Sequence, residues 1–355
     1  MCYTNKNKRR ITHSPQTHYS TLKQPPFHRG DIIQVTGIYL FCILLIVNHK
    51  STVMRRLFTL LIFPCLMSAQ IDFDPDLMRE RFNKSMTIDE PYKLTWLSKK
   101  REDVKEGKII KKSHTSEKFY PGVNRDYWIY IPFNYDKKKE SNLIIFQDGE
   151  GYLFSRTFQA GIALDNMTHF GLIPQTIGVF INPGDKLVGE KNIWGWDRSN
   201  RSYEYDSIDE KYANFLVEEI LPKIKTDYNI TENPKKVVIG GISSGGICAF
   251  NAAWHRPDIF GNVISHCGSF TNIRGGDRYP QIVRQSKKKD IKVFLQGGEN
   301  DLNLVVGSWP SKNKEMAESL QFREYEYKFI FGLGGHSNKH GGELFPETLI
   351  WLWSD

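Results

Sequence analysis

Residues 236–246 read Lys-Val-Val-Ile-Gly-Gly-Ile-Ser-Ser-Gly-Gly, a short β-branched run that breaks into a glycine-flanked serine, with a helical pattern directly behind it. A serine on so sharp a strand-to-helix turn is pushed clear of a sheet, because glycines at 241 and 245 let neighbouring backbone pass close to its crowded Cβ. The pentad Gly-x-Ser-x-Gly alone is a weak signal, since glycine- and serine-containing chains produce it by chance. The succession of strand, turn and helix strengthens it and makes Ser243 the candidate nucleophile.

Such a serine is inert unless a histidine takes its proton and an acid holds that histidine in the correct tautomer. On this kind of turn the partners follow in the order serine, acid, histidine. Residues 289–296 predict a buried strand running into Gly297-Gly298-Glu299-Asn300-Asp301. Residues 324–331 predict the next strand, followed by Gly332-Leu333-Gly334-Gly335-His336. Catalytic groups in open α/β sheets sit at the carboxyl ends of strands, so Ser243, Asp301 and His336 are expected in one crevice. Glu299 competes with Asp301, and the shorter carboxylate further along the turn better suits a fixed histidine contact. His340 competes with His336; a glycine-rich turn right after a strand is the better platform for a base, which leaves His340 as a substrate or supporting contact, or polar surface. His255 and His266 read as structural. The spacing of His336 and His340 also suits a metal pair, but Gly341-Gly342 and the glycines upstream argue against one shared helix, and no metal is expected.

An acyl-transfer site needs two backbone N–H groups aimed at the oxyanion. Ser244, at the start of the elbow helix, offers one. The other is expected from the loop Asp148-Gly149-Glu150-Gly151 after the strand 142–147, through the backbone of Gly149 or Glu150.

The elbow does not stand alone. Residues 121–132 (Pro-Gly-Val-Asn-Arg-Asp-Tyr-Trp-Ile-Tyr-Ile-Pro), Gln147-Asp148-Gly149-Glu150, Asn182-Pro183-Gly184, residues 200–206 (Asn-Arg-Ser-Tyr-Glu-Tyr-Asp), the elbow and Gly335-His336-Ser337 form an ordered set of motifs. That set resembles the putative esterase family, which includes enterochelin esterases, esterase D-like proteins and the feruloyl or acetyl-xylan esterases of carbohydrate esterase family 1. The resemblance covers roughly residues 105–355. It implies an α/β-hydrolase fold and a serine carboxylesterase with Ser243, Asp301 and His336 as its triad, working without an organic cofactor. It does not fix the ester, and the fold hosts acyltransferases as well.

The pattern along the chain agrees with that fold. Edge strands are predicted near 107–114 and 125–132, and further strands near 142–147, 174–182, 235–240, 260–266, 290–296 and 325–331. Helical patterns near 158–170, 208–226, 245–254, 312–321 and 342–353 alternate with them, which predicts a mostly parallel sheet flanked by helices on both faces. Residues 194–206 lie on a long loop between a strand and a helix, so Trp194, Trp196, Arg201, Tyr203 and Tyr205 are candidates to line the pocket, with Trp309 as another wall. The competing reading has Tyr205 and one tryptophan pinning the loop to the body.

The net charge of +8 suggests nucleic acid until it is divided along the chain. Residues 1–69 carry nine of the 48 Lys/Arg and one of the 40 Asp/Glu, so the remainder holds 39 of each and no footprint for a phosphate backbone. Met54-Arg55-Arg56, the apolar run Leu57–Met67 and Ser68-Ala69-Gln70 read as a secretory signal peptide at 54–69, with cleavage after Ala69 and no permanent membrane span. Residues 1–53 read as an extension ahead of the natural start, 70–104 as a linker plus an initial helix, and 105–355 as the esterase domain. Of five cysteines only Cys248 and Cys267 follow the cleavage site, either as one disulfide or as buried thiols behind the nucleophile.

Overall fold

The computed structural model describes residues 74–191 and 199–354. The expected signal peptide and the N-terminal extension lie outside these residues, as do Trp194 and Trp196. After helix α1 (Pro75–Met86) the chain builds β1 (Lys108–Thr115), β2 (Asn124–Ile131), β3 (Asn142–Gln147), β4 (Thr176–Ile181), β5 (Val237–Ile242), β6 (Asn262–His266), β7 (Lys292–Gly298) and β10 (Glu326–Gly332). They form one sheet in the order β1-β2-β4-β3-β5-β6-β7-β10, antiparallel between β1, β2 and β4 and parallel from β4 onward. This is the mostly parallel sheet that the alternating pattern predicts.

The central strands are buried on nearly every residue because both faces are covered, and their period of two sorts the apolar ones between two cores. Leu143 and Ile145 of β3, Ile239 of β5 and Val293 of β7 enter one core, against Phe215, Ile220, Phe250 and Leu320. Ile144 and Phe146, Val238 and Phe294 enter the other, against Tyr152, Leu164, Phe345 and Leu349. Ile144 and Ile145 are both fully buried and belong to opposite cores, so truncating either to alanine costs about 2–5 kcal/mol.

Several boundaries differ from expectation for identifiable reasons. The loop after β3 turns at once into a helix, α2 (Gly149–Phe154), ahead of α3 (Ala160–His169). The long helix expected over 208–226 is broken into α5 (Lys211–Phe215), a π-turn (Leu216–Ile220) and α6 (Leu221–Asp227), where Pro222 lacks the N–H that an unbroken helix would use; a short α4 (Arg201–Tyr205) precedes them. The elbow helix α7 spans Ser244–His255, and α8 (Tyr279–Gln285), with a proline in its first turn, was not anticipated. A small hairpin, β8 (Asn303–Leu304) and β9 (Gly307–Ser308), leads into α9 (Trp309–Phe322), which starts earlier than the pattern suggests because Ser308 caps it and Pro310 occupies its first turn.

The last helix, α10 (Lys339–Leu352), contains Gly341 and Gly342, which the sequence reads as breakers. Packing explains them: a Cβ on Gly342 would lie 2.0 Å from the Thr157 carbonyl oxygen. His340 is therefore helical and His336 is not.

Candidate active site

Ser243 sits at the junction of β5 and α7 with φ 60° and ψ −122°, a conformation L-residues rarely adopt and one that costs of order 1–3 kcal/mol. The surroundings over-determine it. Its N–H donates to the His266 carbonyl at 2.9 Å, and its own carbonyl accepts from Ser269 N at 3.0 Å and Gly246 N at 3.0 Å. The glycine rule of the elbow holds in its strictest form at Gly241, where a Cβ would lie 2.4 Å from the backbone of Gly245.

At the ends of β7 and β10 the acid and the base meet. His336 Nδ1 lies 2.6 Å from Asp301 Oδ1, both side chains buried. An ionised carboxylate only accepts, so Nδ1 carries the proton and Nε2 is left as the basic nitrogen. Asp301 Oδ1 also accepts from Leu302 N at 2.7 Å, while Glu299 is exposed and bonds through its backbone to Gly332. Asp301, not Glu299, is thus the carboxylate on the imidazole.

The hydroxyl of Ser243 meets Ser269 Oγ at 3.2 Å, and no hydrogen bond joins it directly to His336 among the described residues. Ser269 Oγ in turn accepts from Trp309 Nε1 at 3.2 Å, and the Trp309 ring stands edge-on to His336 with centroids 5.9 Å apart. Serine and imidazole are therefore connected through Ser269 and Trp309, which bond to each other. Catalytic hydrogen bonds are often unmade in free enzymes and close only around substrate. Ser269 was missed in the sequence, where it is one serine among many in Cys267-Gly268-Ser269.

The loop expected to supply the oxyanion donors is held from two sides. Asp148 adopts a left-handed conformation at φ 54° before α2. Its two carboxylate oxygens accept from Arg201 Nε and Nη2, each at 2.7 Å. Glu150 N–H donates to Asn182 Oδ1 at 3.1 Å, so that donor is already engaged; Gly149 opens α2, and Ser244 opens α7. The remaining motifs form the frame beneath. Arg125 and Glu204 make a fully buried ion pair, with Nη2 to Oε1 at 2.9 Å; Asn200 Nδ2 donates to the same oxygen at 2.8 Å, and Asn200 N reaches the Gly184 carbonyl at 2.9 Å.

The pocket candidates separate accordingly. Trp309 is buried, bonded to Ser269 and edge-on to His336. Arg201 clamps Asp148 through Nε and Nη2. Tyr205 is fully buried beneath that loop, its hydroxyl 3.5 Å from the Ile181 carbonyl, which is the pinning role. Tyr203 packs against Tyr120 and the cations of Lys211 and Arg274. His340 is interior: it stacks on Tyr92 at 3.8 Å and its Nδ1 lies 3.2 Å from Gln296 Nε2. Sequence misplaced it because the helix starts three residues before the predicted 342.

Burial pushes His340 down to about 4. It pushes His266, fully buried with Nδ1 3.2 Å from Tyr152 Oη, down to about 3, with His340 adding to the effect. Both are held as neutral imidazoles. Asp206, buried behind the elbow and accepting from Ser202 Oγ at 2.8 Å, is raised to about 6 by burial against the pull of Arg201.

Cys248 and Cys267 are buried and unpaired. Ligand atoms of Cys267, Asp301 and His336 lie within 4.8 Å of one another, a sulfur, oxygen and nitrogen set known from zinc sites. The fit is poor: burial pushes the Cys267 thiol well up, away from the thiolate a metal requires, and the 2.6 Å contact of the other two is that of a shared proton.

A strained serine between strand and helix, with an acid–imidazole pair at two neighbouring strand ends, is the arrangement of an α/β-hydrolase. The family profile described as putative esterase matches residues 120–352, and the chain belongs to that family. Among its relatives, the iron(III) enterobactin esterase of Escherichia coli O6:H1 (strain CFT073) is 24% identical over 238 residues, 65% of this chain and 54% of that protein. The uncharacterized protein YbbA of Bacillus subtilis (strain 168) is 23% identical over 240 residues, 65% of this chain and 93% of YbbA. Among solved structures, the enterobactin esterase FES of Shigella flexneri superposes with a TM-score of 0.56 at 21% identity, over 73% of this chain and 62% of FES. The CE1 ferulic acid esterase AmCE1/Fae1A of Anaeromyces mucronatus gives 0.58 at 16% identity, over 74% of this chain and 97% of that one. The chain thus spans little more than half the length of the enterobactin esterases it matches. Among the described residues no helix is long and apolar enough to cross a membrane.

Proposed function

We propose that this protein is a secreted serine carboxylesterase that hydrolyses acetyl or feruloyl esters on polysaccharides through an acyl-enzyme. The observation that carries the reading is the 2.6 Å contact between His336 Nδ1 and Asp301 Oδ1, which fixes the tautomer with a basic Nε2. Ser243 Oγ attacks the ester carbonyl as His336 Nε2 takes its proton. The tetrahedral oxyanion is held by the N–H groups of Ser244 and Gly149. His336 then protonates the departing alcohol, and water repeats the sequence to release the acid. The protein needs no cofactor for these steps. Export is carried by the leader-like residues 54–69.

The likeness to a ferulic acid esterase, matched over 97% of its length, supports the feruloyl reading. The identity to iron(III) enterobactin esterases, 28% over 237 residues for that of Dickeya dadantii (strain 3937), favours a second one: a siderophore trilactone as substrate. A panel of methyl ferulate, acetylated xylan, a ferric catecholate trilactone and a short activated ester, each with wild type and Ser243→Ala, decides both. The variant is expected to lose about four or more orders of magnitude in kcat on whichever ester is turned over. Little or no loss removes Ser243 from the chemistry, and the order of preference among the four esters names the substrate.

A further inference from the structure

The loop that carries His336 is tied to the loop after β7, through Asn300 N to the Gly334 carbonyl at 3.1 Å and Asn300 Nδ2 to the Leu333 carbonyl at 2.7 Å, and also to a segment far upstream. Leu333 N donates to Tyr92 Oη at 2.8 Å, Gly335 N to Glu90 Oε1 at 3.2 Å and His336 N to Ser85 Oγ at 3.0 Å. Glu90 Oε1 also accepts from Ser337 Oγ at 2.7 Å. The partners are 241 to 251 positions apart in sequence, and all three acceptors precede the family match, which begins at 120. The approach is close: a Cβ on Gly335 would lie 2.1 Å from the Ser85 carbonyl oxygen.

Ser85 does more than hold one loop. Its hydroxyl accepts from His336 N and donates to the Asn300 carbonyl at 2.8 Å. Asn300 immediately precedes the acid, so one hydroxyl bridges the backbone beside Asp301 to the backbone of His336. Phe82, one turn earlier on α1, lies 5.8 Å from the imidazole, centroid to centroid.

We infer that residues 82–92 form a latch that is part of the catalytic apparatus, with Ser85 and Glu90 as positioning residues that set the separation and orientation of Asp301 and His336. The inference rests on the reading of His336 as the base. Each latch hydrogen bond contributes a modest share of the stability of the whole. The effect on rate is larger, because a misplacement of about 1 Å at a reacting group costs roughly a hundredfold.

The experiment compares Ser85→Ala with Ser85→Thr and Glu90→Ala with Glu90→Gln in the full chain, through kcat and KM on the preferred ester and amide exchange at residues 333–337. Both alanine variants are expected to lower kcat by about ten- to a hundredfold with KM within about threefold. Both conservative variants, which keep the hydroxyl or the accepting Oε1, return to within about threefold of wild type. The amides of Gly335 and His336 exchange faster in the alanine variants, while those of residues 244–247 do not change. A folded Ser85→Ala with kcat within about threefold of wild type, or a loss that threonine fails to restore, overturns the latch. Should Ser85→Ala not fold, the Glu90 pair makes the same decision. If the wild-type protein turns over no ester, the proposed function fails, and the exchange comparison still judges the latch: unchanged protection at 335 and 336 sinks it.

Discussion

The serine elbow and the histidine loop face each other across one site, yet they are made in opposite ways. At the elbow the turn itself is set within a few residues, by β-branched β5, Gly241 against Gly245 and the helix that begins at Ser244, and the neighbouring strand end adds backbone bonds from His266 and Ser269. The histidine loop is bonded to Asn300 and Asp301 after β7 and, from far upstream, to Ser85, Glu90 and Tyr92. A nucleophile that must endure a strained backbone is built by local rules. A base that must meet a separate strand end is placed by whatever packs on it from outside.

The largest test of this contrast concerns the pair that joins the loops after β7 and β10. Asp301→Asn leaves His336 with the wrong hydrogen-bond partner at Nδ1, and kcat is expected to fall about ten-thousandfold with the fold intact. A loss below tenfold, measured beside circular dichroism of the variant, moves the acid elsewhere.

A smaller effect comes from adding one methyl group to each side. Gly241→Ala drives a Cβ into the elbow's own backbone, and Gly335→Ala drives one into Ser85. Overpacking costs about 1–3 kcal/mol in either case. At Gly241 that cost is expected in global thermal stability, since β5 and α7 belong to the core; at Gly335 it appears as release of the latch, with kcat lowered and the melting temperature changed by less than half as much. Equal melting shifts break the distinction.

The last effect leaves the chemistry aside and falls on the acid side of stability. His266 and His340 have folded-state values depressed to about 3 and about 4, whereas an unfolded chain protonates its histidines near 6.5. Below about 6.5 the unfolded state therefore binds more protons, and stability falls as pH drops, by about 1.4 kcal/mol per pH unit for each imidazole until its folded-state value is reached. Denaturant titrations at pH 6.5 and 5 measure the slope, and His266→Gln is expected to remove one proton from it.

How much was legible follows the same division. The sheet was readable because strands buried on both faces are unbroken apolar runs, and the choice of Asp301 over Glu299 followed from its place on the turn. For Tyr205 the long loop allows either pocket lining or pinning, and the structure shows the pin; Arg201 reads only as a pocket candidate, because sequence does not reveal the Asp148 carboxylate it clamps. His340 was misplaced by treating Gly341-Gly342 as helix breakers when Gly342 only makes room for Thr157. Residues 70–104 read as a linker and initial helix because charge and weak patterning hide a segment whose value lies in single polar atoms: one hydroxyl of Ser85, one oxygen of Glu90.

That separation along the chain has an evolutionary consequence. The twelve residues of α1 and the few that follow touch the base without contributing to the sheet, so they can diverge, shorten or be exchanged between relatives while the hydrolase scaffold stays constant. Substitutions in that stretch therefore reach the imidazole loop while leaving every strand of the sheet untouched.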